Sequence, residues 1–322
     1  RPRLPGAFRL TMPTDRPSPA TTRAGYVALV GRPNAGKSTL LNRFVGEHLS
    51  IVTPKAQTTW QRVTGIRTEG SDQLIFLDTP GLLETRDLLQ HAMLGAALEA
   101  LAEADVALLV VDTTKRPTQT DIDRILTAFS EVNAPLHVAL NKVDAANLTA
   151  IEVWKSWAEE GLGGQVHSVS AKTGKGAEAL LSAIREDLPE GSFLYPEDDI
   201  ASDPVRFFVA EFVREAIFEQ FHQEIPYAVF CQVAEFRENQ DPTYIHVDIF
   251  VERKSQKRIV VGNQGSAIKK LSSAARSKIE RFLGCHVYLD LWVKPLASWR
   301  KNPDHLGRLG FRVPTEDDPN HR

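Results

Sequence analysis

The sequence reads Gly31-Arg32-Pro33-Asn34-Ala35-Gly36-Lys37-Ser38 directly after an apolar run at residues 26–30. This spacing matches the phosphate-binding pattern G-x-x-x-x-G-K-[ST], which needs a strand before the loop and a helix after it. The glycines let backbone N–H groups wrap an anion closely, and the helix points its positive end at the same phosphates. The stretch therefore predicts a P-loop in an α/β domain.

Two residues of this loop have chemical roles in the prediction. Lys37 places a positive charge near the β- and γ-phosphates and is a candidate catalytic residue, and Ser38 offers its hydroxyl to Mg²⁺. A chance glycine-rich turn is the alternative, and the strand before and helix after disfavour it. The predicted nucleotide contacts of this segment are Gly31, Asn34, Ala35, Gly36, Lys37, Ser38 and Thr39.

The base is indicated by Asn141-Lys142-Val143-Asp144, which follows the apolar residues 136–140. The Asp144 carboxylate can accept hydrogen bonds from N1–H and the 2-amino group of guanine, whereas adenine has neither donor. The alkyl stem of Lys142 can lie on the face of the base, and Asn141 can tie the loop to its neighbours. Alone this tetrapeptide is an ordinary polar loop, but after a P-loop and a strand it predicts GTP and GDP as ligands.

Two further motifs stand at strand ends. Asp78-Thr79-Pro80-Gly81 closes the strand-like residues 73–77, so Asp78 is predicted to hold Mg²⁺ through a water and the catalytic Gly81 amide to meet the γ-phosphate. Ser170-Ala171-Lys172 follows residues 166–169, and its Ala171 N–H is predicted to donate to guanine O6. Either motif alone could be an ordinary turn without a function, but the order of the motifs along the chain favours a nucleotide site.

In this order the motifs resemble those of the GTPases of the translation-factor class, with Gln57-Thr58-Thr59 in the place of the first switch. One of the two threonine hydroxyls would complete the Mg²⁺ shell in the GTP state. We favour Thr59 and leave Thr58 as the alternative. Leu82-Leu83-Glu84, directly after Asp78-Thr79-Pro80-Gly81, contains no glutamine that could orient the attacking water. Catalysis must therefore come from the backbone, a cation or a partner. The resemblance implies K⁺ as that cation, with Asn34 as a ligand.

The second half of the chain predicts an RNA clamp. Gly262-Asn263-Gln264-Gly265 is a GxxG turn between helices, in an α-β-β-α-α-β order typical of KH domains, where such a turn grips about four nucleotides. Residues 253–301 hold twelve Lys and Arg against two acidic residues, in a chain of net charge −3. The alternatives without RNA binding are a plain turn for the GxxG sequence and a solvated helix face for the basic residues. Beside the turn, the predicted RNA contacts are Lys254, Lys257, Arg258, Ile259, Val261, Ile268, Lys269 and Lys270, with Leu271 also lining the groove.

Length and composition suit a two-domain protein of 322 residues with 42% hydrophobic residues. The predicted fold is an α/β P-loop GTPase domain with a mostly parallel sheet, followed by a smaller α+β type II KH domain. The predicted divisions are a disordered tail at 1–24, a GTPase domain at 25–190, a linker at 191–204, the KH domain at 205–301 and a further segment at 302–322. The longest apolar run, residues 106–111, is too short to cross a bilayer.

Two smaller predictions concern individual elements. Residues 205–222 should form a helix whose apolar face holds Phe208, Phe212, Ile217 and Phe221, ended by Pro226. The cysteines Cys231 and Cys285 should be reduced thiols buried in strands, because two well-separated cysteines make no disulfide framework.

Residues 25–311 together resemble the Era family of bacterial GTPases, most specifically at residues 31–42, 54–65, 195–215 and 289–310. The resemblance implies a KH domain that binds the 3′ end of 16S rRNA and a GTPase cycle that times a step in 30S ribosomal subunit maturation. It implies a cytoplasmic monomer, and a peripheral contact with the inner membrane is left open. The chain departs from the family at Trp60, where relatives usually carry Arg, and at Asn263-Gln264, which lacks a lysine.

Two other functions remain as alternatives. The first is an RNA-binding protein whose GTPase domain is occupied by GTP but hydrolyses it weakly and serves as structure. Intact Lys37, Ser38, Asp78 and Asp144 argue against it, and the missing glutamine keeps it open. The second is a tRNA-modifying or generic P-loop NTPase, which lacks support because the chain has no additional catalytic domain or reactive cysteine motif.

Overall fold

The computed structural model describes residues 22–313 and contains two sheets, one in each half of the chain. The first sheet has the strand order β2-β3-β1-β4-β5-β6, in which β2 and β3 are antiparallel and the other neighbours are parallel. Its strands are β1 (Arg23–Val30), β2 (Val63–Glu69), β3 (Asp72–Asp78), β4 (Val106–Asp112), β5 (Leu136–Asn141) and β6 (Gln165–Ser168).

Helices cover both faces of this sheet, and the strand sequences reflect it. Strand β4 reads VALLVVD and buries all but its last residue, as expected for a parallel strand covered on both sides. The helices are α1 (Lys37–Val45), α2 (Leu88–Glu103), α3 (Gln119–Phe129), α4 (Leu148–Gly161) and α5 (Ala177–Glu186). Within residues 22–313, none of the helices has both the length and the apolar character needed to cross a membrane.

The second half forms a three-stranded sheet with helices packed on one side. In the order β7-β8-β9, strands β7 and β8 are antiparallel and β8 and β9 are parallel. Its elements are α6 (Val205–Gln220), β7 (Val229–Arg237), β8 (Thr243–Val251), α7 (Lys254–Val261), α8 (Ser266–Leu283) and β9 (Val287–Pro295), followed by α9 (Pro303–Arg308). The predicted architecture, an α/β domain with a mostly parallel sheet followed by a smaller α+β domain, is confirmed.

Three details differ from the sequence-based expectations. Strand β1 already begins at Arg23, which pairs with Asp72, so the predicted tail can extend only to residue 22, and residues 1–21 lie outside the described part. Helix α6 ends at Gln220, well before Pro226, which lies in a short 3-10 turn. Cys285 is exposed in the turn between α8 and β9, and only Cys231 is buried. Part of the predicted segment 302–322, residues 314–322, is also outside the described residues.

Helix α6 is buried on several faces because it lies between the two domains. Its predicted apolar residues, Phe208, Phe212 and Ile217, are all buried, and so are the charged Arg214 and Glu215. A helix that packs only on its own sheet would keep such charges in water. Helix α6 therefore belongs to the domain boundary as much as to the second domain.

A second contact between the halves is an interdomain aromatic cluster. Trp60, from the loop before β2, packs on Trp299 with ring centroids 5.7 Å apart, and Phe230 packs on Phe311 at 5.6 Å. Gln61 reaches across the same boundary, where its Nε2 donates to the Leu309 carbonyl at 3.3 Å. The cluster consists of Trp60, Leu83, Leu89, Ala92, Met93, Phe230, Trp299, Leu306, Leu309 and Phe311.

Candidate functional site

The P-loop connects β1 to α1, and its two glycines are sterically required. Gly31 has φ +153°, and a Cβ there would lie 2.2 Å from the Val110 carbonyl oxygen. Gly36 has φ +102°, and its Cβ would lie 2.2 Å from the Asn141 side-chain nitrogen. Glycine is therefore required at both positions for the loop to pack against Val110 and Asn141.

Lys37 is buried inside this loop. Its ammonium donates to the carbonyl oxygens of Gly31 and Arg32, at 3.2 Å each. Burial lowers the pKa of Lys37 to about 8, and the carboxylate of Asp78 opposes the shift without cancelling it. The lysine is thus held in place by the loop, with a charge that an arriving phosphate would stabilise.

Three oxygen-bearing side chains converge beside the loop at the predicted metal position. The Ser38 hydroxyl lies 2.7 Å from Asp78 Oδ2 and 3.1 Å from the Thr59 hydroxyl, which is 3.5 Å from the same carboxylate oxygen. Burial raises the pKa of Asp78, and its other oxygen, Oδ1, has no hydrogen-bond partner among the described residues. Hard oxygen donors around an unsatisfied carboxylate fit Mg²⁺. This arrangement favours Thr59 over Thr58.

The turn formed by Asp78-Thr79-Pro80-Gly81 lies directly against the P-loop. A Cβ on Gly81 would come within 2.5 Å of the Pro33 nitrogen, and the Leu82 N–H donates to the Gly31 carbonyl at 2.9 Å. Leu82 and Leu83 are both buried, whereas Glu84 is exposed and pairs with Arg86 and Arg124. Leu82, Leu83 and Glu84 therefore provide no amide side chain for the attacking water, as the sequence indicates.

The base-recognition residues meet at the carboxyl ends of β5 and β6. Asn141 ties three loops together, because its Nδ2 donates to the Ala35 carbonyl at 2.8 Å and its Oδ1 accepts from the Ala171 N–H at 2.9 Å. This is the joining role predicted for Asn141. The contact of the Ala171 N–H with guanine O6 stays a prediction; here this N–H donates to Asn141 Oδ1.

Lys142 and Asp144 are positioned beside that junction. Lys142 has φ +68°, and its ammonium donates to the Asn34 carbonyl and to Asp112 Oδ2, at 2.7 Å each. This fixes the stem that was predicted to lie on the base. Asp144 is exposed, and a hydrogen bond from the Ser170 hydroxyl lowers the pKa of its carboxyl. Its carboxylate is therefore ionised and accessible, as guanine recognition requires.

A cleft beside the P-loop is lined by more residues than the motifs named. Thr39 lines it as predicted, together with Val52, Thr53 and Lys55 from the segment before the first switch. Two residues that contact this segment or belong to it were not identified from the sequence, Lys55 and Arg214. Neither belongs to a motif, and Arg214 is distant in sequence, so only the three-dimensional contact identifies it.

The RNA-clamp residues surround the predicted turn between α7 and α8. Gly262 has φ +73°, and a Cβ there would lie 2.6 Å from the Ala267 Cβ; Gly265 has φ +77°, and Gln264 has φ +48°. The turn closes through the Gly265 N–H, which donates to the Gly262 carbonyl at 3.3 Å. Such a tight turn leaves its backbone open to a close neighbour.

A basic surface adjoins this turn. Lys254, Lys257 and Arg258 are exposed on α7 and line a recess with Val261, Gly262 and Pro295. Among the other predicted contacts, Ile259, Asn263, Lys269 and Lys270 are exposed and Ile268 is half-buried. Leu271 is completely buried in the core, so the prediction that it lines the groove is wrong. It lies one helical turn along α8 from Ala267 and packs inward.

Comparison with known proteins covers both halves. Residues 26–142 match the model of the 50S ribosome-binding GTPase family, and residues 224–300 match that of the KH domain. The chain is 39% identical to GTPase Era of Carboxydothermus hydrogenoformans over 90% of its length and 98% of that protein. It is 40% identical to GTPase Era of Rhizobium meliloti over 91% of its length and 94% of that protein.

Two solved structures resemble the whole arrangement. One is an Aquifex aeolicus Era variant bound to GDP and AlF₄⁻, and the other is Era in complex with MgGDPNP and nucleotides 1506–1542 of 16S ribosomal RNA. Each is 35% identical to this chain, with a TM-score of 0.86, over 91% of this chain and 100% of the other.

Proposed function

Because this chain belongs to the Era family of GTPases, we propose that it binds the 3′ end of 16S rRNA through its KH domain and uses GTP hydrolysis to time a step in 30S subunit maturation. One observation carries the proposal: a relative 35% identical to this chain binds MgGDPNP together with nucleotides 1506–1542 of 16S rRNA. The cytoplasm is the proposed location. A monomeric state and a peripheral membrane contact stay predictions.

In the GTPase domain, each proposed role follows from a position described above. The P-loop amides and Lys37 hold the phosphates, and Ser38 and Thr59 bind Mg²⁺ directly while Asp78 acts through a water. When bound, the metal neutralises charge on the phosphate oxygens. The Gly81 amide is proposed to meet the γ-phosphate, since Gly81 lies so close to Pro33 of the P-loop that a Cβ would collide with it. Asp144 recognises guanine, with its loop held by Asn141.

We propose K⁺ as the cation that replaces the absent glutamine. Asn34 has a left-handed backbone at φ +63°, and its Nδ2 faces the Pro54 carbonyl at 3.5 Å, which leaves Oδ1 as the oxygen available to a cation. Turnover should be higher in K⁺ than in Na⁺ at equal ionic strength, and Asn34→Ala should remove the difference. Equal rates of the parent protein in the two salts would contradict the proposal.

In the KH domain, phosphates are proposed to contact the Gly262–Gly265 turn and the basic side chains of α7 and α8. Exposed Ile259 and half-buried Val261 and Ile268 supply the apolar surface for bases. The pair Asn263-Gln264 is uncharged, so Lys254, Lys257, Arg258, Lys269 and Lys270 provide the positive charge. Backbone phosphates dominate affinity in such contacts, and base contacts supply specificity.

Crosslinking in cells followed by sequencing of the bound RNA tests the proposed target. Crosslinks should concentrate at the 3′ end of 16S rRNA, and Gly262→Asp should remove them because its side chain and charge would occupy the phosphate position. The exposed Arg206, which stacks over Phe236 outside the basic surface, provides Arg206→Gln as a control. Crosslinks spread evenly over total RNA would contradict the proposal.

A further inference from the structure

The segment around residues 53–60, which contains the first switch, lies against helix α6 of the RNA-binding domain. Two cationic side chains cross this boundary in opposite directions. Lys55 of the GTPase domain donates to the Phe218 carbonyl and, at 2.5 Å, to the Phe221 carbonyl, so it satisfies the C-terminal end of α6. Arg214 of α6 donates from Nη2 to the Thr58 carbonyl at 2.5 Å.

Arg214 is buried at the domain boundary, and its own helix pairs only part of its guanidinium. Its side chain is 2% exposed and lies over the rings of Trp60 and Phe218, at 4.8 and 5.7 Å. The Glu211 carboxylate accepts from Nε at 2.8 Å, yet Nη1 has no hydrogen-bond partner among residues 22–313. Burying a guanidinium with an unpaired nitrogen costs free energy of folding, so the stability of α6 alone does not account for Arg214.

The hydrogen bond that Arg214 makes across the domain boundary lies next to the metal position. The Thr58 carbonyl belongs to the peptide group that precedes Thr59, and the Thr59 hydroxyl lies 3.1 Å from Ser38 Oγ. A charge-assisted hydrogen bond at this carbonyl fixes the peptide plane and with it the direction in which the Thr59 side chain leaves the backbone. The guanidinium also lies over the ring of Trp60, and this contact restrains the residue directly after Thr59.

We infer that Arg214 is a positioning residue for the GTP-bound first switch, supplied by the RNA-binding domain of the same chain. Switch segments of GTPases are ordered by the γ-phosphate and Mg²⁺ and released after hydrolysis. A hydrogen bond made only with the ordered segment favours one state over the other, and therefore shifts the equilibrium toward the GTP form. Lys55 acts in the same direction by holding the segment to α6 from the other side.

This inference rests on the proposed role of Thr59 in binding Mg²⁺, and it adds a residue that the GTPase motifs do not contain. It predicts that Arg214 affects the GTP state alone. The GDP state lacks the γ-phosphate that orders the segment, so removing the Arg214 hydrogen bond costs that state little. A purely structural role would weaken both nucleotides together or lower the stability without changing their ratio.

The test is to measure the dissociation constants of GMPPNP and GDP for the full chain, with Mg²⁺ and with EDTA. In Mg²⁺, Arg214→Gln should raise the ratio of the GMPPNP constant to the GDP constant about tenfold, the effect expected for one hydrogen bond to a charged group. In EDTA the variant and parent ratios should agree within about twofold. Arg214→Lys, which keeps the charge but not the planar group, should give a smaller rise. Lys55→Gln should raise the ratio as well.

Arg206→Gln is the matched control, since Arg206 lies on the same helix and stacks over Phe236 of its own domain. Its ratio should equal that of the parent. If Arg214→Gln does not fold, Arg214→Lys and Lys55→Gln decide the question. A ratio unchanged in these variants while Thr59→Ala raises it would overturn the inference and leave the proposed function intact. A raised ratio in the Arg214 variants with none in Thr59→Ala would support the Arg214 role and overturn the Thr59 assignment.

Discussion

Asp144 is the residue that should determine the choice of base. Its carboxylate is exposed and its ionised form is favoured by the Ser170 hydroxyl, so it can accept both donors of guanine. In Asp144→Asn an amide N–H would face the 2-oxo group of xanthine, and the preference should change from GTP to XTP. Competition binding with GTP, ATP and XTP measures this. The exposed Asp123 provides Asp123→Asn as a control, and an undiminished GTP preference in Asp144→Asn would contradict the assignment.

Lys37 should take up a proton when nucleotide binds. Burial lowers its pKa from 10.5 to about 8 in the nucleotide-free protein. The unfolded chain therefore binds more protons between these values, so the lysine adds stability as pH rises through that window. The negative charge of the bound phosphates should raise the pKa of Lys37 again. GTP binding near pH 8 should therefore take up roughly half a proton.

Calorimetry in two buffers of different ionisation enthalpy measures that uptake. Lys37→Arg is the control, because a guanidinium stays protonated at pH 8 and should show no uptake at this position. Uptake of the same size in Lys37→Arg would assign the proton to another group. An absence of uptake in the parent protein would show that Lys37 is already charged before the nucleotide arrives.

At the scale of elements, the turn between α7 and α8 gives an ordered series of variants. A Cβ on Gly262 would collide with Ala267, whereas at Gly265 the nearest atom is 3.9 Å away and only the backbone angle is strained. Gly262→Ala should therefore weaken RNA binding more than Gly265→Ala. Gly262→Asp or Gly265→Asp should abolish it and leave GTP affinity nearly unchanged.

Filter binding at several salt concentrations measures this series. Lys269→Ala and Lys270→Ala should be milder than the glycine variants, and removing one lysine–phosphate interaction should lower the slope of log K against log salt by about one. Arg206→Gln is again a suitable control. Unaltered RNA affinity in both aspartate variants would mean that the basic surface binds RNA without using the turn.

Features set by neighbouring residues could be predicted from the sequence, whereas features set by distant residues could not. The P-loop and the GxxG turn are local features, because their glycines and flanking elements lie within a few residues of one another. The errors concern residues whose environment is set at long range. Leu271 points into the core, and Cys285 lies in an exposed turn. Arg214 contacts Thr58 across the domain boundary, and no local pattern marks it.

At the scale of the whole molecule, RNA and nucleotide binding should be coupled. The segment around residues 53–60, which contains the first switch, contacts α6 through Lys55 and Arg214, and the interdomain aromatic cluster joins Trp60 to Trp299. A KH domain that rests on the ordered switch should bind RNA more tightly when GTP is present than when GDP is present. Allosteric coupling of this kind is usually about 1 to 3 kcal/mol.

Binding of an RNA ending in the small-subunit 3′ sequence, measured with GMPPNP and with GDP, tests the coupling. Gly262→Asp should weaken RNA binding in both states, and Arg214→Gln should bring the two affinities closer together. The isolated protein should hydrolyse GTP slowly, at about 10⁻⁴ per second, because it lacks the glutamine. Equal RNA affinity with the two nucleotides would show that the domains act independently.

The interdomain aromatic cluster has a consequence for how the chain is made. Trp60 emerges from the ribosome long before Trp299, Leu309 and Phe311, the residues that cover it. At roughly 5 to 20 residues per second, synthesis leaves an interval on the order of tens of seconds between them. During that time the GTPase sheet can form while one face of its first switch is uncovered. The nascent protein therefore cannot acquire its finished switch surroundings until α9 and the residues directly after it have been translated.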